Sequence, residues 1–251
     1  MVITERDKKI LRLIREQGFV VAEQLKFQFA SRNLSEVYRR LRELEKVGLI
    51  RSERALTFNK KIYLAERKSF FIGREDTFEY LPFISRPRVA QIAHDLKVTD
   101  VRIALERVFP CSRWTPESVL KRQAPPPHPL FDFVPIGDGR MDDYDSGDIT
   151  VEVECSDKSE ARVRKTMIGW MGRKDCELVL YVALTEAIYK RLNRILKELI
   201  HHDRAGDIII ALYADVVAAK RNIPIMTTNG PLFLRPDPKE SKGVPTDANR
   251  N

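Results

Sequence analysis

The clearest periodicity lies at the amino end. Over residues 4 to 16, Ile10, Leu11, Leu13 and Ile14 fall on one helical face, Thr4 followed by Asp7 suits an N-cap, and Gly18 ends the run. In FVVAEQLKFQFA, Val21, Leu25 and Phe29 recur at four-residue spacing and predict a second short helix. A third follows in SRNLSEVYRRLRELEKVGLI, where Leu34, Val37, Leu41 and Leu44 make an apolar stripe and Gly48 supplies the stop. Two β-prone stretches around a turn at Asn59 and Lys60 then predict a hairpin. Three short helices and a hairpin give the element order of a winged helix-turn-helix over residues 1–70.

The rest of the chain alternates differently. PRVAQIAHDLKVTDVRIALERVF reads as a helix with Pro87 near its start, and residues 71–125 read as a helical connector between two halves. His94, among apolar neighbours there, reads as a packed histidine with one hydrogen bond. PPPHP at 125–129 is a stiff break, and the second sheet is expected just beyond it, starting with a short strand in PLFDFVPI. ITVEVEC alternates strictly, placing Ile149, Val151, Val153 and Cys155 on one side and Thr150, Glu152 and Glu154 on the other. A helix at KSEARVRKTMIGWMG, a strand at CELVLYVAL, a helix at 186–202 and an apolar strand at DIIIALY follow. This order predicts an α/β domain with a mixed sheet over 126–235, giving α+β overall with the N-terminal unit. The tail at 236–251 has almost no apolar content and is expected to be disordered.

Charge sharpens the N-terminal reading. The chain has 44 Lys+Arg against 36 Asp+Glu, and residues 1–70 hold 17 against 9, so the remainder balances at 27 against 27. An excess confined to one segment marks a surface for a polyanion, here double-stranded DNA. Arg32, Asn33, Ser35, Tyr38 and Arg39 occupy the early turns of the third helix, from which side chains reach base edges or phosphates. Arg40 and Arg42 add cations to the same helix. Arg54, Lys60 and Lys61 line the hairpin, the two lysines serving backbone positioning. Such binding needs no cofactor. Three scattered cysteines exclude a disulfide framework or zinc ribbon, and the lack of a signal peptide or a membrane-length apolar run points to the cytoplasm. Winged-helix proteins often dimerise, and the apolar face of the helix at 186–202 (Ile188, Leu192, Ile195, Leu196, Leu199) is either that contact or packing on its own sheet.

The carboxylates suggest a second chemistry. Glu152 and Glu154 share a strand face roughly 6.5 to 7 Å apart. With Asp132 from a neighbouring strand they would suit Mg²⁺, which favours oxygen ligands and can drive phosphodiester hydrolysis. Lys158 or Lys165 would then lie near the phosphate. Alternating glutamates equally fit an ordinary half-exposed sheet. The run containing Asp142, Asp143, Asp145 and Asp148 lacks the spacing of a calcium loop and reads as a polar turn.

Taken with the N-terminal elements, IAHDLKVTDVRIAL, SRWTPESVL and ITVEVECSDKSEARVRK ahead of LVLYVAL resemble the replication-relaxation family of plasmid and mobile-element proteins. The resemblance covers most of residues 1–185. It implies a winged helix joined to a domain similar to PD-(D/E)XK nucleases, serving plasmid replication, relaxation or mobilisation. It makes Asp132 the acidic residue of the first motif and Glu152 that of the second, with Asp132 and Glu152 as metal ligands. The chain departs where the motif lysine is Glu154 and where Phe131 replaces the proline before Asp132, which leaves Lys158 to substitute from another direction. The expectation is a DNA-binding regulator or accessory factor with a degenerate nuclease-like domain, the alternative being a Mg²⁺-dependent endonuclease delivered by the winged helix.

Overall fold

The first helix, α1 (Glu5–Gln17), begins where its cap dictates. The Thr4 hydroxyl accepts from the Asp7 N–H, and the Asp7 carboxylate accepts from the Thr4 N–H at 2.7 Å, closing a capping box. It ends at Gly18, whose φ of 84° suits a residue without a Cβ. The computed structural model describes residues 2–28, 33–55, 59–72, 81, 83, 87–110, 112–123, 135–143, 147–202 and 204–235. The PPPHP run, the predicted PLFDFV strand with Asp132, Cys111, Arg32, Phe29 and the 236–251 tail all lie outside them.

Gly18 is followed by a strand that the helical spacing did not predict. β1 (Phe19–Val21) pairs antiparallel with β3 (Lys60–Ala65), Val21 opposite Ile62. Helix α2 (Ala22–Gln28) therefore starts one residue after Val21. Phe19-Val20-Val21 is aromatic and β-branched, and an available strand edge outweighs its weak fit to the helical period. Helix α3 (Leu34–Lys46) and strand β2 (Ile50–Ala55) complete the unit, whose antiparallel sheet has the order β1-β3-β2. Leu11, Ile14, Leu25, Leu41, Leu44 and Tyr63 form its core.

The second half is α/β, as the sequence predicts, with a mixed sheet. Its sheet, though, starts ahead of the proline run. Strand β4 (Arg113–Pro116) follows helix α4 (Ile92–Val108) and pairs with β5 (Gly139–Asp143). The stretch 71–125 thus supplies a core helix, an edge strand and helix α5 (Glu117–Gln123) rather than a connector alone. The RWTP segment is too short for its alternation to be read. After β5 come β6 (Gly147–Glu154), α6 (Glu160–Met171), β7 (Leu178–Ala183), α7 (Glu186–Glu198), β8 (Ile208–Leu212), α8 (Tyr213–Ala218), β9 (Ile223–Thr227) and β10 (Gly230–Leu234). The strand order is β10-β9-β8-β7-β6-β5-β4, with β6, β7 and β8 parallel and the other pairs antiparallel.

Alternation on β6 and β7 assigns the two faces. Ile149, Val151, Val153, Leu180 and Val182 pack with Val101, Leu105 and Val216 from α4 and α8. Val179, Tyr181 and Ala183 pack with α6 and α7, including Ile188, Leu192, Ile195, Leu196 and Leu199. That last set decides between the two readings of the 186–202 helix: its apolar face packs on its own sheet. On that same sheet face Glu154 is buried and Glu152 is half-buried. No described helix is long and apolar enough to cross a membrane.

Helix α4 is apolar on several sides because two cores claim it. Ile103 belongs to the N-terminal core and Val101 to the sheet core. Between them runs a buried polar seam. Arg102, 3% exposed, pairs with the fully buried Glu16 of α1 and with Glu106 at 2.8 Å, while Arg12 reaches Glu16 at 2.9 Å. With its amide oxygen turned toward them, Gln17 accepts from Trp114 Nε1 and Arg102 Nη1 at 3.0 Å. Gln24 of α2 donates to Leu96 O and to Asp100 Oδ1, both at 2.9 Å.

Candidate nucleic-acid interface and carboxylate cluster

Helix α3 turns its apolar stripe inward, with Val37, Leu41 and Leu44 buried. Ser35, Arg39, Arg42 and Lys46, spaced four, three and four residues apart, are all exposed and form the opposite stripe. Among the described residues Arg39 makes a long contact to Glu43 at 3.4 Å, and Arg42 Nε donates to Tyr38 O at 3.3 Å. These are loose tethers that a phosphate can replace.

Two residues predicted for DNA contact serve the helix instead. Asn33 is its N-cap, Oδ1 accepting from Ser35 N at 2.9 Å. Arg40 turns back to α1, pairs with the buried Asp7, reaches Glu43 at 2.5 Å and donates to Val2 O at 3.0 Å. Burial alone would raise the Asp7 carboxyl, but the bonds from Arg40 and Thr4 hold it below its usual value, and Arg40 is correspondingly raised. Helical spacing could not separate Arg40 from Arg39, since the acid that claims it lies 33 residues away. Tyr38 is half-buried against the core. On the hairpin, Arg54 donates to Asn59 Oδ1 at 2.5 Å, Lys60 faces Glu23 at 3.5 Å and Lys61 faces Glu45 at 3.6 Å. All three cations are exposed, the two lysines at long contact distances, and Asn59 turns the tip with φ 49°.

Beneath α6, the structure builds a cluster around Glu152 that the sequence only half supplied. The acid facing it is Asp138, just ahead of β5. Flanking glycines were its only signal. Gly137 lets the loop lie against β6, since a Cβ there would stand 2.5 Å from Thr150 Cγ2 and 2.8 Å from Val151 O. Strand β6 runs beyond the start of β5, which orphans the backbone of Val153. Asp138 Oδ2 accepts from Val153 N at 2.7 Å, and His94 Nε2 donates to Val153 O at 3.1 Å while lying 3.4 Å from Asp138 Oδ2. His94 Nδ1 sits 3.4 Å from Asp95. The two side chains thus continue the strand ladder, and His94 has more partners than the single hydrogen bond expected.

Electrostatics bind the cluster together. Burial pushes the Glu152 carboxyl up to about 8, reinforced by Asp138 and opposed by Lys158. Burial opposes charge on His94, but its bonds to Asp138 and Asp95 prevail and raise it to about 11. Glu154 is buried, paired with Lys158 at 2.8 Å and capped by Ser156 N and Oγ, both at 3.3 Å. Lys158, in the loop between β6 and α6, thus lies against Glu154. Tyr181 of β7, opposite Glu152 in the register, is buried with its hydroxyl.

The described carboxylates here are largely engaged within the protein: Asp138 accepts from Val153 N and lies against His94, and Glu154 pairs with Lys158 and accepts from Ser156. Among the described residues no group of three or more His, Cys, Asp or Glu is placed to hold a metal ion. Asp132, proposed from sequence as the partner of Glu152, lies outside those residues. Comparisons of the chain with protein-family models, with curated protein sequences and with solved structures returned no match.

Proposed function

We propose that this protein binds double-stranded DNA through its N-terminal unit acting as a winged helix, with α3 in the major groove and the β2–β3 hairpin on the flanking backbone. One observation carries the reading: an amphipathic helix backed by its own core presents Ser35, Arg39, Arg42 and Lys46 in one exposed stripe, beside a hairpin tipped by Arg54, Lys60 and Lys61. Lysine and arginine on phosphates set affinity, while the early turns of α3 supply base contacts. The family resemblance supplies the biological setting, a regulator or a replication or mobilisation accessory factor of a plasmid or mobile element. Binding requires no cofactor. The endonuclease alternative is not favoured, because the carboxylates around Glu152 are committed to His94, Lys158 and the β6 backbone.

Duplex binding measured across a salt series tests this. Affinity should fall steeply as salt rises, and Arg39→Ala/Arg42→Ala should weaken it several-fold and flatten the log–log slope by about one for each phosphate left without its cation. Arg40 is left intact because its loss would disturb α1. Unchanged affinity and slope in the double variant would remove α3 from the interface.

A further inference from the structure

By sequence, the chain beyond residue 70 carries no net charge, but the fold sorts those charges by face. Helices α6 and α7 lie side by side on the sheet and together hold seven Lys or Arg against three glutamates. Two of those glutamates are used internally: Glu160 pairs with Arg194 and Glu198 with Arg164, each bridging the two helices. Arg162, Lys165, Lys190 and Lys197 are exposed and face no carboxylate among the described residues. On α7, Lys190, Arg194 and Lys197 recur at i, i+4 and i+7, a stripe about 10 Å long by helical rise. They border a shallow groove of about 520 Å³ that reaches Asn193 and Met226.

We propose that the outer face of α6 and α7 is a second binding surface for nucleic-acid backbone, so that one molecule holds two duplex segments. The N-terminal unit packs on α4, and α4 covers the sheet face opposite α6 and α7. A duplex on α3 and a duplex on α6–α7 are therefore separate segments with the sheet between them. The chemistry selects a polyanion. A protein partner would need an aromatic or apolar centre, and a membrane surface would need apolar side chains to insert. The exposed large apolar residues on this side are Ile200, just past the end of α7, and Phe233 on the edge strand β10, on separate elements. A row of exposed cations, in which Lys190 and Lys197 face no carboxylate among the described residues, suits phosphates without sequence preference. The inference rests on the N-terminal reading only for the first duplex.

The test uses the full chain and two short duplexes, one immobilised and one labelled. Wild-type protein should capture the labelled duplex on the immobilised one. The variant Lys165→Glu/Lys190→Glu/Lys197→Glu should lose that capture by about tenfold or more and lower the salt slope of binding by about three, while still binding one duplex. Unaltered capture and slope in that variant, or no capture by a wild type whose salt slope the triple variant leaves unchanged, overturns the second surface. The Arg39→Ala/Arg42→Ala variant separates the two readings. If it binds normally while the triple variant does not, the α3 reading falls and this surface stands; the reverse pattern leaves α3 and removes this surface.

Discussion

Replacing Arg102 with alanine should be among the most damaging changes this chain can suffer, although the residue touches no proposed ligand. Its guanidinium is 3% exposed, pairs with the fully buried Glu16 of α1 and with Glu106, and lies 5.8 Å over the Trp114 ring. Removal leaves Glu16, among the described residues, with Arg12, itself partly exposed, and deprives Gln17 of a donor. Breaking a buried ion pair from one side costs about 3–5 kcal/mol, because the surviving charge stays desolvated. That is a large part of the roughly 5–15 kcal/mol by which domains are stable. With a urea m-value of about 3 kcal/mol/M, the midpoint should fall by about 1–1.7 M. The control is Arg102→Met/Glu16→Leu, in which both charges leave together and stability should recover most of the loss. A midpoint shift below about 0.3 M for Arg102→Ala would show that the seam between α1 and α4 is open to water and does not join the halves.

The carboxylate cluster and the glycines give three further expected outcomes. His94 is raised when folded, so its stabilisation is complete below its unfolded value near 6.5 and is lost as pH rises toward 11. Glu152, raised to about 8, has the same sign, costing stability progressively from about pH 4.5 to 8. Imidazole resonances should therefore show His94 still protonated at pH 8, and Glu152→Gln should stabilise at pH 8 and not at pH 4; a normal His94 titration would refute the cluster geometry. At Gly139 a Cβ would fall within the buried Trp114 ring, so Gly139→Ala should lower stability by about 1–3 kcal/mol or more in a thermal melt, whereas Gly206→Ala, where a Cβ meets nothing within 4 Å, should cost far less.

What the chain itself determined was whatever depends on neighbours three, four or two residues away. The amphipathic faces of α1 and α3, the split of Ile149, Val151 and Val153 from Thr150, Glu152 and Glu154, and the mixed α/β class all follow from such spacing. Tertiary structure decided what depends on distant partners. Asp7 turns Arg40 inward while Arg39 stays out, β3 draws Val21 from a helix into a strand, and β5 makes a strand of RWTP. The orphaned backbone of Val153 calls in Asp138 and His94, from 15 and 59 residues away. The balanced charges beyond residue 70 become a basic face because Glu160 and Glu198 are consumed between helices that the sheet sets side by side. Periodicity fixes which way a side chain points on its own element; only packing fixes what waits there, and charge takes its meaning from that neighbour.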